Sequence, residues 1–282
     1  MENTRPKSNN LPVITLKPSK GWLAVDFKEL WRYRELVFFL TWRDIKVRYK
    51  QAVLGIGWAI LQPLLTVLIF TVIFGILLET PSQDLPYPLF ALSALLPWQL
   101  FATALQRSSV SLVGNANLIT KIYFPRLAIP LSTVFAALVD FGVSLVVLFG
   151  VMAYYRYWPT WNTLWLVPIV LLTILTALAV GLWFSALNVQ YRDIQHMVPF
   201  IIQVWMYASP IVYPIETIPA GIWRVLYGLN PMVGVIQGFR WALLGGSPPD
   251  LTMLISVGVV LVLFVSGLYY FRRMEKTFAD IV

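Results

Sequence analysis

The sequence predicts an all-α integral membrane protein. It has six transmembrane helices, an N-terminal amphipathic interface helix, and external re-entrant half-helices between spans five and six. Three observations predict it. Of 282 residues, 59% are hydrophobic and only 12% charged, against about 25% charged in soluble domains. Uncharged runs long enough to cross about 30 Å of hydrocarbon recur along the chain. A basic cluster (Arg43, Lys46, Arg48 and Lys50) passes directly into the first of them. The mean hydropathy of +0.73 agrees.

Residues 1–21 read as a polar tail. Pro6, Pro12 and Pro18 punctuate it, and no apolar h-region marks a signal peptide. Residues 22–52 read as an amphipathic interface region. Phe38, Trp42, Ile45 and Tyr49 recur at helical spacing, continuing an apolar side from Phe27, Leu30 and Trp31, while Arg43, Lys46 and Lys50 fall on another face. Such a helix is expected to lie in the membrane interface, basic face toward head groups or a cytoplasmic partner.

One six-span domain is expected over 53–282. Its first span is about 53–78, interrupted by Gln62-Pro63, where a kink and a freed carbonyl are expected. The second is about 87–105, with Pro97 inside. Residues 106–126 turn polar, then amphipathic; the third span follows at 127–154 and carries Asp140. A Trp- and Tyr-rich turn at 156–162 suits an interface belt. The fourth and fifth spans are about 164–187 and 198–213, joined by a polar loop at 188–197. Residues 214–250 hold five prolines and apolar pieces at 221–229 and 232–244, too short to cross and read as re-entrant or interfacial half-helices. The sixth span is about 251–271, before a basic RRMEK tail.

Charge sets the orientation. Of the 21 Lys and Arg, 18 fall in segments 1–52, 106–126, 188–197 and 272–282; the other three are Arg156, Arg224 and Arg240. This places both termini in the cytoplasm. It also explains the net charge of +8 without nucleic acid. Zero cysteines exclude disulfides, zinc thiolates and Cys nucleophiles. There is no GxxxxGK[ST] loop; GNANLITK at 114–121 has the wrong spacing. With a single histidine, His196, and no HExxH, no catalytic residue and no metal site are expected.

Asp140 is the one ionisable residue well inside a span. It is read as bonded to polar groups of a neighbouring helix, with a place on a transport pathway as the alternative. Six aromatics in or near spans are channel-lining candidates: Trp58, Trp98, Phe101, Trp183, Trp205 and Tyr207. Flat rings pack on sugar C–H faces without gripping them; core packing or lipid contact is the other reading.

Six strings together resemble one family. They are RDIKVRYKQAVLGIGWAILQPLL at 43–65, NANLITKIYFPR at 115–126, YRDI at 191–194, YASPIVYP at 207–214, LNPM at 229–232 and FRWALLG at 239–245. In this order they resemble the ABC-2 type permeases that export polysaccharides such as O-antigen, capsule and teichoic acid. The resemblance implies a permease subunit in the cytoplasmic (inner) membrane, not itself an enzyme. Two copies would form a homodimeric channel, each docking a separate ATPase subunit that binds ATP and Mg. The substrate would be a glycan on a polyprenyl-pyrophosphate carrier. Arg32, Arg34, Arg43, Lys46, Arg48 and Lys50 would border the carrier head group. Asn117, Lys121, Tyr123 and Arg126, with Arg192 and Asp193, would couple to the ATPase. The competing expectations are an ABC-2 exporter of teichoic acid, drug or lipid, a proton-driven carrier needing a second buried charge, and a non-transporting scaffold.

Overall fold

A computed structural model describes residues 27–50, 57–82, 85–219, 221–245 and 248–281. The expected tail, 1–21, and the start of the first span lie outside the described residues. Within them the chain is helical and contains no strand. Two N-terminal helices, α1 (Phe27–Arg32) and α2 (Arg34–Lys50), precede α3 (Gly57–Phe70), which continues as a π-helix over Thr71–Leu77. Next come α4 (Tyr87–Gly114), the short α5 (Ala116–Lys121) and α6 (Ala128–Tyr154). A 3-10 turn, Trp161–Trp165, leads into α7 (Leu166–Gln190), then α8 (Ile194–Tyr207). Beyond a second 3-10 turn, Ile215–Thr217, lie α9 (Ile222–Gly228) and α10 (Pro231–Leu244). The chain ends with α11 (Leu251–Glu275) and α12 (Phe278–Ile281).

Five of these helical stretches are long and apolar enough to cross a membrane: 57–77, 87–114, 128–154, 161–190 and 252–275. The segment expected as a fifth span, 198–213, behaves differently. Helix α8 has 14 residues, about 21 Å at 1.5 Å per residue, and the chain then bends over 208–213. Pro210 and Pro214 account for the break, since neither has an N–H to continue the ladder. Where half-helices are expected, at 221–229 and 232–244, the chain forms two short helices, α9 and α10.

The second span is longer than expected, running to Gly114 rather than 105. Its polar stretch stays helical because serines fold back on the preceding turn. Ser109 Oγ donates to the Gln106 carbonyl and Ser111 Oγ to that of Ser108, each at 2.7 Å. Both side chains then face protein, and α4 becomes the most enclosed span, with 78% of its apolar window buried. Phe90, Phe101, Leu89 and Leu92 fill the core beneath α6, α7 and α10. A second cluster sits at the α5 end, where Val37, Leu40, Ile119, Phe124, Phe271 and Phe278 gather the ends of α2, α5, α11 and α12. By contrast, only 11% of the window over 57–77 is buried.

Helix α2 does not follow the expected facing. Thr41 Oγ1 donates to the Ser132 carbonyl at 3.3 Å, and the Tyr49 hydroxyl donates to the Asp140 carboxylate. Both contacts span 91 residues, so α2 runs beside the first half of α6 in the same direction. Its inward stripe is Val37, Leu40 and Thr41, not Phe38 and Trp42, which are exposed. Apolar side chains occur on both sides of α2, so periodicity alone could not select the face that meets protein.

Close approach fixes the α7–α11 crossing. A Cβ on Gly267 would lie 2.5 Å from the Ala179 carbonyl oxygen and 2.9 Å from the Trp183 ring. Gly267→Val is expected to cost about 1–3 kcal/mol through overpacking. The check is the apparent unfolding temperature of the purified protein in detergent; an unchanged value would contradict the crossing.

Candidate functional site

A cavity of about 180 Å³ opens where the end of α2 meets α3, α4 and α6. Sequence builds each wall. Pro63 lacks the N–H that would bond the Ala59 carbonyl, and Ala59, Gln62 and Pro63 all line this space. Helix α4 contributes Gln99, Thr103 and Arg107; α6 contributes Asp140 and Ser144; α2 brings Arg48 and Tyr49. Asp140 lies about 18 Å along α6 from its Ala128 end at 1.5 Å per residue. The group is therefore well inside the span, where charge is costly unless paired.

It is paired. One carboxylate oxygen accepts from the Tyr49 hydroxyl and the other meets the Arg48 guanidinium. Arg107 Nη2 stands 4.0 Å from that second oxygen. Two guanidiniums thus share one carboxylate, leaving the cavity with a formal charge of +1. Both guanidiniums stay protonated. The side chains of Arg48, Arg107 and Asp140 keep between 22% and 35% of their surface open, so the cluster remains reachable.

The other cationic candidates point elsewhere. Arg43 Nη2 donates to Asp44 Oδ1 and to Asn115 Oδ1, both at 2.9 Å. Asn115 Nδ2 donates in turn to the Ser111 carbonyl at 2.8 Å. Arg43 therefore bolts α2 to the junction of α4 and α5. Arg32, Arg34, Lys46 and Lys50 are exposed and line no part of the cavity.

Below the junction, α5 buries Ile119 and presents Asn117 and Lys121 outward; Tyr123, just beyond its end, is 62% exposed. The segment's far end is clamped. The Arg126 N–H donates to Glu275 Oε1 at 3.2 Å, while Arg272 holds Glu275 Oε2 at 2.8 Å. Arg192 and Asp193 are exposed in the turn between α7 and α8. Ile119 and Val189 share one buried cluster, which puts that turn at the same end of the bundle.

The six aromatic candidates divide. Trp98 and Phe101 are core residues, 3% and 0% exposed. Trp205 meets Phe101 edge-on at 5.0 Å and donates to Asn230 Oδ1 at 2.8 Å. Trp183 stacks on Tyr270 at 4.5 Å. Only Trp58 and Tyr207, 51% and 64% exposed, present large surfaces outward. Arg107 was missed as a site residue because the second span was ended at 105; the apolar Val110, Leu112 and Val113 beyond it were the available signal. Among the described residues no group of His, Cys, Asp and Glu could hold a metal ion.

A bundle of long apolar helices around a charged intramembrane cavity defines a multi-pass membrane transport protein. The chain belongs to the ABC-2 type transporter family, whose pattern it matches over residues 35–244. It is 32% identical over 253 residues to the O-antigen export system permease protein RfbA of Myxococcus xanthus, covering 88% of this chain and 96% of that one. An RfbA of Klebsiella pneumoniae is 31% identical over 252 residues, with 88% and 95% covered. The polysialic acid transport protein KpsM of Escherichia coli is 28% identical over 241 residues, with 83% and 91% covered.

Removing one member of the shared ion cluster leaves its partners unpaired, so removing two should cost less than the two single losses added. Cutting a fully buried pair costs about 3–5 kcal/mol; with a quarter of each side chain open, Asp140→Asn is expected to cost about 1–2 kcal/mol after discounting for solvent screening. The Arg48→Gln/Asp140→Asn double variant should lose less than the sum of the singles. Strict additivity in a thermal-unfolding cycle would show that the two groups are uncoupled.

Proposed function

We propose that the chain is the membrane subunit of an ATP-driven exporter of lipid-linked polysaccharide of the O-antigen type, acting in the cytoplasmic membrane. The observation that carries the reading is the placement of Arg48 and Arg107 on one cavity beside α3, the least covered of the spans. The pyrophosphate of a lipid carrier needs charge-assisted donors wherever it leaves water. Arg48 and Arg107 supply them, and Asp140 keeps them charged and oriented when no anion is present. The names borne by the relatives supply the substrate class.

The rest of the mechanism follows from which parts are tied together. A nucleotide-binding subunit, carrying ATP and Mg, docks on the outward face of α5 through Asn117, Lys121 and Tyr123, with Arg192 and Asp193 beside it. Force on α5 has two exits: through Asn115 and Arg43 into α2, and through Arg126 and Glu275 into α11. The first exit ends at Arg48, on the cavity. A second copy of the chain packs against α3 and α8, whose uncovered faces carry Trp58 and Tyr207. Between the copies those rings form a flat wall for a sliding glycan. In this assembly α8 and the turn after it complete a sixth crossing, α9 and α10 lie as half-helices near the external surface, and both termini face the cytoplasm.

Reconstitution with the copurifying ATPase should give glycan translocation that requires ATP hydrolysis. Translocation driven by a proton gradient without the ATPase would overturn the reading. Lys121→Glu reverses an exposed charge, so the unfolding temperature should hold while ATPase capture weakens about tenfold. Unchanged capture would remove α5 from the docking face. Arg107→Gln should lower translocation of the lipid-linked glycan about tenfold by deleting one charge-assisted donor; full activity in a well-folded variant would leave the head group to other residues.

A further inference from the structure

The end of the bundle opposite α5 holds a larger cavity, about 890 Å³. Nothing in the mechanism above uses it. Its walls come from the turn after α6, the short turn Ile215–Thr217, α9, α10 and the start of α11. Its volume falls in the range of about 300–1,000 Å³ typical of small-molecule sites.

The walls carry balanced charge, with Arg224 and Arg240 facing Glu216 and Asp250. Arg240 is committed to the scaffold. Its Nη2 donates to the Ile211 carbonyl at 2.8 Å, its Nη1 to that of Tyr213 at 3.3 Å, and the guanidinium lies 3.7 Å from the Phe90 ring centroid. Arg224 stands 4.0 Å from Asp250 Oδ2. The Tyr157 hydroxyl is taken by the Leu244 carbonyl at 2.5 Å, so its ring serves as wall. Gln237 accepts from the Thr252 hydroxyl at 3.1 Å through Oε1, which leaves its amide N–H donors to offer. Trp241, 5.9 Å from Trp165, adds a second aromatic surface.

Each ligand class makes a different demand. An anion needs surplus positive charge, which Glu216 and Asp250 cancel. A divalent cation needs converging oxygens without arginines beside them. An apolar ligand would strand the charged and amide groups unpaired. A neutral sugar suits all of them: ring C–H faces pack on Trp241 and Tyr157, and hydroxyls exchange bonds with Gln237, Glu216, Arg224 and Asp250.

We propose that this cavity is a saccharide-binding site for an uncharged stretch of glycan, distinct from the cationic cavity at the other end of α4. The assignment rests on the export reading for the class of its ligand. Its test is equilibrium binding without ATP, on the chain in nanodiscs with its copurifying ATPase. The probes are water-soluble oligosaccharides cut from the producing cell's own surface polysaccharide, inorganic phosphate and Ca²⁺, followed by saturation-transfer NMR.

Oligosaccharide should bind, and Trp241→Ala should weaken it about tenfold, the usual loss for an aromatic anchor. Because Trp241 also touches Trp165, a second variant, Asp250→Asn, at a side chain 62% open, should weaken binding in a protein whose unfolding temperature is unchanged. Undiminished binding in both variants overturns the site, as does binding of phosphate or Ca²⁺ in place of sugar. Absent oligosaccharide binding beside intact ATP-driven glycan export overturns this inference and leaves the export reading standing. Oligosaccharide binding that both variants weaken, without any glycan export, supports the site and overturns the export reading.

Discussion

One carboxylate decides where α2 ends. Asp140 sits well inside a span, where an unpaired charge would be expelled or neutralised. Its partners cannot come from α6 itself, because the neighbouring turns are apolar apart from Ser144, which bonds back to the Asp140 carbonyl at 3.0 Å. Its partners therefore come from other helices: Arg48 and Tyr49 from α2, and Arg107 from α4. The rest of α2 conforms. Val37 and Leu40 bury against the α5-end cluster, Thr41 is pinned to Ser132, and Arg43 is held by Asn115. A helix that composition alone would lay flat on the membrane instead runs alongside a span.

This arrangement gives the basic cluster divided labour. Its charges follow one another closely in sequence, but helical geometry sends Arg48 inward, Arg43 sideways to α4, and Lys46 and Lys50 outward. Only the inward charge meets the cavity. The sideways one ties α2, which carries Arg48, to the junction of α4 and α5 through Asn115.

What the sequence revealed and what it hid divide along physical lines. Five of the six expected spans and the short helices after α8 were legible, because length, charge and proline act locally. Burial was not. Hydropathy scores Trp98 and Trp58 alike, although one is sealed in the core and the other faces outward; lipid and protein interior are equally apolar, so only tertiary packing separates them. Arg107 was hidden for a related reason. A charged residue reads as the end of a span, yet Ser109 and Ser111 satisfy their hydroxyls within α4, so the helix passes through.

The contrast in burial also says which parts can move. Helix α4 is enclosed by α6, α7 and α10, with Phe90, Phe101 and Phe239 fully sealed. Displacing it would open voids at a cost of several kcal/mol per large side chain. The stretch 57–77 and helix α8 carry no such penalty: the first is 11% buried, and α8 has one buried residue, Val198. Pro63 further weakens the α3 ladder beside the cavity, and the chain breaks after Tyr207, where α8 stays tied to the start of α10 through Trp205 and Asn230. Rigid α4 therefore serves as the fixed post between the two cavities. In the proposed exporter, a path past it opens by movement of α3 and α8, the elements that present Trp58 and Tyr207.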